Sequence, residues 1–163
     1  MRWSSLVERG PVLDVACGSG RHARIFLERK LEVIGVDREE HALPAGVRFV
    51  KADLEDGSPW PFAGQRFAAI VVTNYLYRPL FAPLADSLDE GGVLIYETFM
   101  LGNEKLGRPS NPQFLLRPGE LLEAFETLHV AGFEQGRVER PKAAMIQRLC
   151  ALRGERERVR IPA

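Results

Sequence analysis

The stretch Val12-Leu13-Asp14-Val15-Ala16-Cys17-Gly18-Ser19-Gly20-Arg21-His22-Ala23 decides how the rest of the chain is read. An apolar run carries one carboxylate, a small-residue turn with two glycines follows, and a helical pattern begins. Such a unit brings bare backbone amides and the positive end of a helix to the tip of a buried strand. Glycine at positions 18 and 20 permits positive φ and leaves no Cβ between the backbone and a ligand. A nucleoside-bearing cofactor suits a loop of this kind.

Outward from this unit, strand and helix patterns alternate. Residues 11–16, 32–37, 47–52, 66–72 and 93–97 are short apolar runs that predict strands. A helix is expected over 21–30, with Ala23, Phe26, Leu27 and Leu31 on its buried stripe. A second is expected to run to about Leu88 and to be closed by Gly91-Gly92. Strands that are apolar on both faces and alternate with helices predict a parallel sheet. Past Glu97 the pattern changes. Residues 99–119 are rich in Gly, Pro, Asn and Ser, the length and composition of a functional loop. A short helix over 120–126 and strands over 127–133 and 143–152 complete the chain. The predicted fold is α/β, a Rossmann-like doubly wound, mostly parallel seven-stranded sheet with an antiparallel last strand. It forms one domain over residues 1–153, with a charged tail over 154–163.

The bulk properties set bounds on function. The 163 residues are 45% hydrophobic and 27% charged, which suits one soluble domain with a full core. Lys plus Arg equals Asp plus Glu at 22 each, so no basic excess points to nucleic acid. Cys17 and Cys150 make neither a disulfide framework nor a metal set, and they fit a reducing cytosol. The first residues lack the apolar run of a signal peptide, and no stretch reaches the ~20 apolar residues of a membrane span. A cytoplasmic protein with no metal, membrane or nucleic-acid partner is expected.

Gly18-Ser19-Gly20-Arg21-His22-Ala23 matches the dinucleotide fingerprint in form, but two acids argue for a different cofactor. Asp14 would repel a pyrophosphate. It would attract the methionyl ammonium of S-adenosylmethionine (SAM), whose carboxylate could take the loop amides. Asp53 follows the third strand at the same sheet edge and could accept from an adenine amino group, with the Leu54 amide as its companion. Asp37, ending the second strand, suits a ribose in either cofactor. The plain alternatives are a helix cap for Asp14, a surface acid for Asp37 and a turn cap for Asp53.

These motifs resemble those of the class I SAM-dependent methyltransferases. Leu13 to Gly20 is similar to their motif I, Val36-Asp37 to their ribose acid, and Lys51-Ala52-Asp53-Leu54 to their adenine-edge motif. Phe67 to Val72 and Gly91 to Ile95 resemble their fourth strand and the approach to the fifth. Asn111 to Leu121 is more loosely similar to small bacterial methyltransferases of the tellurite-resistance group. The resemblance implies SAM as cofactor, a small-molecule acceptor, and Asp14, Ala16, Gly18, Ser19, Gly20, Asp37, Asp53, Leu54 and Asn74 as cofactor-binding residues. Ala16 stands where the family more often has glycine, so a negative φ is expected there.

Asn74-Tyr75-Leu76-Tyr77 follows the fourth strand, where such enzymes place the acceptor. Nucleic-acid amino methyltransferases carry two prolines in this turn, and Tyr75 and Leu76 replace both. Tyr75, Tyr77 and Arg78 are the candidate acceptor residues, with Arg78 favouring an anion and Arg108 and Arg117 as weaker candidates for that task. Packing of both tyrosines under the following helix is the alternative. No catalytic residue stands out. His22 reads as solvent-facing or structural, and Cys17 as a buried filler. The short lead-in before the first strand implies a missing or minimal helical cap, so enclosure would come from residues 99–119 or a second subunit. Trp3 and Leu6, as exposed apolar residues, would favour a homodimer. The rival functions are an NAD(P)-binding oxidoreductase domain and a non-catalytic SAM-binding module.

Overall fold

The computed structural model describes residues 1–154; the charged tail lies outside the described residues from position 155 onward. Seven strands form one sheet: β1 (Val12–Val15), β2 (Val33–Asp37), β3 (Val47–Lys51), β4 (Phe67–Thr73), β5 (Leu88–Phe99), β6 (His129–Val138) and β7 (Ala144–Leu152). Their order across the sheet is β3-β2-β1-β4-β5-β7-β6. The first five strands are parallel, and β7 runs antiparallel to both β5 and β6. The order reverses beside β1, so β1 and β4 diverge at their carboxyl ends. In open α/β sheets that crevice is where ligands bind.

Burial explains the strand patterns. All four residues of β1 are buried, and so are the first six of β4, because both strands are covered on both faces. One face packs around Leu13, Ile34, Ile70, Leu94 and Tyr96. The other packs around Val12, Phe26, Val33, Val71 and Cys150. The edge strand β3 is half-buried at best, which fits its alternation of Arg48 and Lys51 with apolar residues.

The helices are shorter than the sequence pattern predicts. The first, α1, covers only Ala23–Leu27. Its amino end is delayed by the turn at Gly20, whose amide binds the Cys17 carbonyl at 2.9 Å, and Lys30 at φ 60 turns the chain out of the helix beyond its end. The second, α2, spans Phe81–Asp86 after a 3₁₀ turn over Arg78–Leu80. Leu88 begins β5, so Gly91-Gly92 lies inside that strand instead of closing the helix. A Cβ at Gly92 would stand 2.8 Å from the Asp89 carbonyl, which explains glycine at this strand irregularity. The third, α3, covers Glu120–Ala124.

One expectation about the periphery changes, and the long segment after β5 gains a definite form. Trp3 and Leu6 are half-buried against the sheet face that holds Phe26, and the Trp3 ring covers Gly132. They therefore present no exposed apolar patch for a second subunit. The segment 99–119 is fastened down: Met100 bridges to Leu116, and buried Asn103 donates to the Pro109 carbonyl and accepts from the Met145 amide.

Candidate functional site

The loop after β1 is drawn back onto β2. The Cys17 amide donates to the Val36 carbonyl at 3.1 Å, and the Gly18 amide donates to Asp37 Oδ2 at 2.9 Å. Closing both bonds so soon after the strand forces a left-handed turn at residue 16. Ala16 has φ 51, so the negative φ expected there is incorrect. The residue is half-buried and borders a cavity. Left-handed backbone costs an L-residue about 1–2 kcal/mol, part of which glycine's larger unfolded-state entropy offsets. Ala16→Gly is accordingly expected to stabilise the protein by ~0.5–1 kcal/mol in denaturant unfolding.

Gly18 and Gly20 differ in what they face. A Cβ on Gly18, at φ 51, would meet nothing within 4 Å. A Cβ on Gly20, at φ 69, would strike Pro44 Cδ at 2.7 Å. Gly18 thus opens outward, whereas Gly20 makes a packing contact. Ser19 is exposed between them.

Asp14 sits beneath this loop and is only 2% exposed. Its Oδ2 is buried and has no hydrogen-bond partner among the described residues. Burial raises its pKa to about 7, although the Ala23 amide and the Arg21 charge oppose the rise. The Cys17 thiol beside it is pushed by burial, and by the charges of Asp14 and Asp37, up to about 12, so it stays a thiol at neutral pH.

Asp37, Asp53 and Leu54 share a cavity of about 280 Å³ with Ala16, Ala52 and Tyr75. The Asp37 carboxylate also accepts the Glu39 amide at 3.1 Å through Oδ1. Asp53 caps its own turn by accepting the Glu55 amide at 2.9 Å. Each acid keeps further lone pairs for a ligand.

The three acceptor candidates do not converge. Tyr75 lines the Asp37 cavity, while Tyr77 lines a neighbouring one with Trp60 and Leu80. Arg78 is committed elsewhere. Its Nε donates to Glu120 Oε1 at 2.6 Å, and its other nitrogens reach Glu120 Oε2 and the Gln113 and Leu115 carbonyls. The expectation that Arg78 binds an anionic acceptor is corrected: its anion is Glu120, which is buried in the fold. Burial alone would raise the Glu120 pKa, but Arg78, the Arg117 amide and the Arg117 charge hold it below the ordinary value. Arg117 is likewise paired, with Glu120 and Glu123. Arg78→Ala would strand a buried carboxylate. It is expected to destabilise the protein by about 2 kcal/mol, a figure reduced because Arg78 is partly open to water. Cofactor affinity is expected to stay unchanged, as calorimetry would show.

Asn74 follows β4 directly, at φ 54, and is exposed. It lines a cavity of about 420 Å³ with Trp3, Arg21, His22, Thr73 and Glu97. His22 faces this cavity and not open solvent. Its Nδ1 shares a 3.0 Å hydrogen bond with Thr73 Oγ1, tying the β1 loop to the end of β4. Burial lowers its pKa to about 4, so it is neutral at pH 7. A second cavity continues from Asn74 and Arg21 toward the carboxyl end of β6 and the start of β7. The sequence reading missed this extension, because its walls come from segments far apart in the chain.

Comparison with known proteins agrees with this fold. The model of a methyltransferase domain family matches residues 12–92, about half of the chain. The structure of TehB from Haemophilus influenzae superposes with a TM-score of 0.74 at 14% identity, covering 92% of this chain and 59% of that one. The chain therefore spans less than two thirds of that protein's length. The N-methyltransferase NodS from Bradyrhizobium japonicum WM9 gives 0.65 at 15% identity over 88% of this chain and 85% of that one. The 1,6-didemethyltoxoflavin-N1-methyltransferase from Burkholderia thailandensis, with bound 1,6-didemethyltoxoflavin and S-adenosylhomocysteine, gives 0.66 at 22% identity over 93% and 74%. At these identities the superpositions show the fold. No curated protein matches the chain. The chain carries a methyltransferase domain, and its fold is the one these methyltransferase structures share. No helix among the described residues is long and apolar enough to cross a membrane, and no cluster there could hold a metal ion.

Proposed function

We propose that this protein transfers the methyl group of SAM to a small molecule. The observation that carries the reading is the buried, unpartnered Asp14 oxygen beneath the outward-facing Gly18 turn. It fits a ligand with an ammonium and a carboxylate side by side, and it does not fit a pyrophosphate. In this reading Asp14 holds the ammonium, and the turn of Ala16, Gly18, Ser19 and Gly20 surrounds the carboxylate, with the Gly18 and Gly20 amides kept by Asp37 and the Cys17 carbonyl. Asp37 grips the ribose, Asp53 and the Leu54 amide meet the adenine edge, and Asn74 borders the methionyl end. Tyr75 closes the adenosine cavity, its phenol kept protonated by burial and by Glu55.

When bound, SAM supplies a sulfonium methyl whose carbon–sulfur bond breaks, leaving its electron pair on sulfur, as an acceptor lone pair bonds to the carbon. The protein's task is to align that acceptor and exclude water. A thiolate or oxyanion acceptor needs no strong base, which is consistent with the neutral, weakly basic His22 beside the cavity. Support for a small acceptor comes from the modest, concave cavities at the crevice and from a neighbour of the same fold that holds 1,6-didemethyltoxoflavin. The test is incubation with methyl-labelled SAM and a cell extract, followed by ultrafiltration. Label in the small-molecule filtrate is expected. Label confined to retained protein or nucleic acid would overturn the reading.

A further inference from the structure

The cavity that continues past Asn74 has an uneven charge. Its volume is about 330 Å³, and it lies between the carboxyl ends of β4, β5 and β6 and the start of β7. Six charged side chains line it: Arg21, Arg108, Arg140, Lys142 and Arg148 against the single carboxylate Glu97. Glu97 is consumed, since it accepts from Arg148 Nε at 2.5 Å, and Arg148 also reaches Glu134 at 3.3 Å. Arg21, Arg108, Arg140 and Lys142 form no ion pair and no side-chain hydrogen bond among the described residues. Four cations brought to one concavity repel one another, and an anion relieves that repulsion. Three segments far apart in sequence supply them: the β1 loop, the 99–119 segment and the β6–β7 turn.

The walls below these charges are apolar, formed by Phe99, Val138, Ala144 and Ile146. The volume and the apolar walls suit an organic molecule better than a bare inorganic ion. The concavity is shared with the cofactor side, because Arg21 and Asn74 line both this cavity and the one beside His22.

Resting on the methyltransferase reading above, we propose that the acceptor is a small organic anion, with an apolar body and a carboxylate or phosphoryl headgroup. Arg108, Arg140 and Lys142 hold the headgroup, the Phe99–Ile146 wall holds the body, and the reacting atom lies toward Asn74. Arg108 thus takes the part that the sequence assigned first to Arg78. The fastened 99–119 segment serves as a fixed wall that carries Arg108, since buried Asn103 anchors it to β7.

The test titrates the full chain with benzoate, phenyl phosphate and neutral benzamide, with and without S-adenosylhomocysteine, monitored by ligand-detected NMR. At least one anion is expected to bind, with benzamide at least about tenfold weaker. Preference between the two anions identifies the headgroup. In Arg108→Ala/Arg140→Ala, anion affinity is expected to drop at least about tenfold, while calorimetric affinity for S-adenosylhomocysteine and the melting temperature stay the same. Both side chains are exposed, so the double variant keeps its fold. Equal binding of benzamide and the anions, no anion binding in either state, or anion binding indifferent to the two substitutions would overturn the proposal. The S-adenosylhomocysteine arm reports separately on the cofactor, so loss of the methyltransferase reading and loss of the anion site give different results.

Discussion

Asp14→Asn is expected to make the protein more stable at pH 8 and to weaken its hold on S-adenosylhomocysteine. Burial raises the Asp14 pKa from 3.8 to about 7, with Ala23 and Arg21 only partly opposing. As pH rises from about 4 to 7, the unfolded chain gives up this proton while the folded protein keeps it. Stability therefore falls across that window and levels off above 7. The full cost of the buried charge is on the order of 4 kcal/mol. Asparagine removes the charge but stays polar and buried, so the expected gain is about 2 kcal/mol, or ~4–8 °C in melting temperature. The gain should vanish near pH ~4, where Asp14 is already neutral in both states. Binding moves the other way, because the ammonium loses its partner. Affinity for S-adenosylhomocysteine should drop about tenfold or more, the scale of a charged hydrogen bond. In the unaltered protein, affinity should also weaken as pH falls below 7 and Asp14 takes up its proton. Thermal melts at the two pH values and calorimetry check both halves. A stability gain without a binding loss would make Asp14 a strained support of the loop and nothing more.

Gly18→Val is expected to abolish cofactor binding while the protein still folds. The added carbons enter space that is open in the protein, and they lie where the Gly18 turn would meet a ligand. The left-handed backbone at φ 51 makes valine cost about 1–2 kcal/mol, which a domain of this size tolerates. Binding should weaken at least ~100-fold, since one branched side chain removes close backbone approach altogether. Gly20→Val is the control. Its Cβ strikes Pro44 and Leu43, so that variant should lose stability first. Circular dichroism and calorimetry on the pair separate a ligand-facing glycine from a packing one. Normal binding by Gly18→Val would mean that the turn faces nothing.

Why some of this was legible in the sequence and some was not follows from how local each feature is. The strands β1 to β5 are signalled by short apolar runs, and the antiparallel β7 by the hairpin-like spacing that follows the long loop. Asp14, Gly18, Asp37 and Asp53 could be proposed because each stands at a strand end, and strand ends meet at one edge. Helix lengths were less legible. The periodicity of α1 runs on past Leu27, but hydrogen bonding gives way to turns there, where Lys30 takes a left-handed conformation. Ala16 misled because its φ is imposed by two long-range bonds, Cys17 to Val36 and Gly18 to Asp37. Arg78 misled because its partner, Glu120, lies 42 residues away. The cationic cavity has the same character: no local pattern reports that Arg21, Arg108 and Arg140 meet.

The central claim is that the Gly18 loop and its acids hold S-adenosylmethionine and not a dinucleotide. Calorimetric titration with S-adenosylhomocysteine, beside a parallel titration with NADH, tests it most directly. The account predicts micromolar binding of S-adenosylhomocysteine, about −8 kcal/mol, and no binding of NADH. Binding of NADH with none of S-adenosylhomocysteine would contradict it.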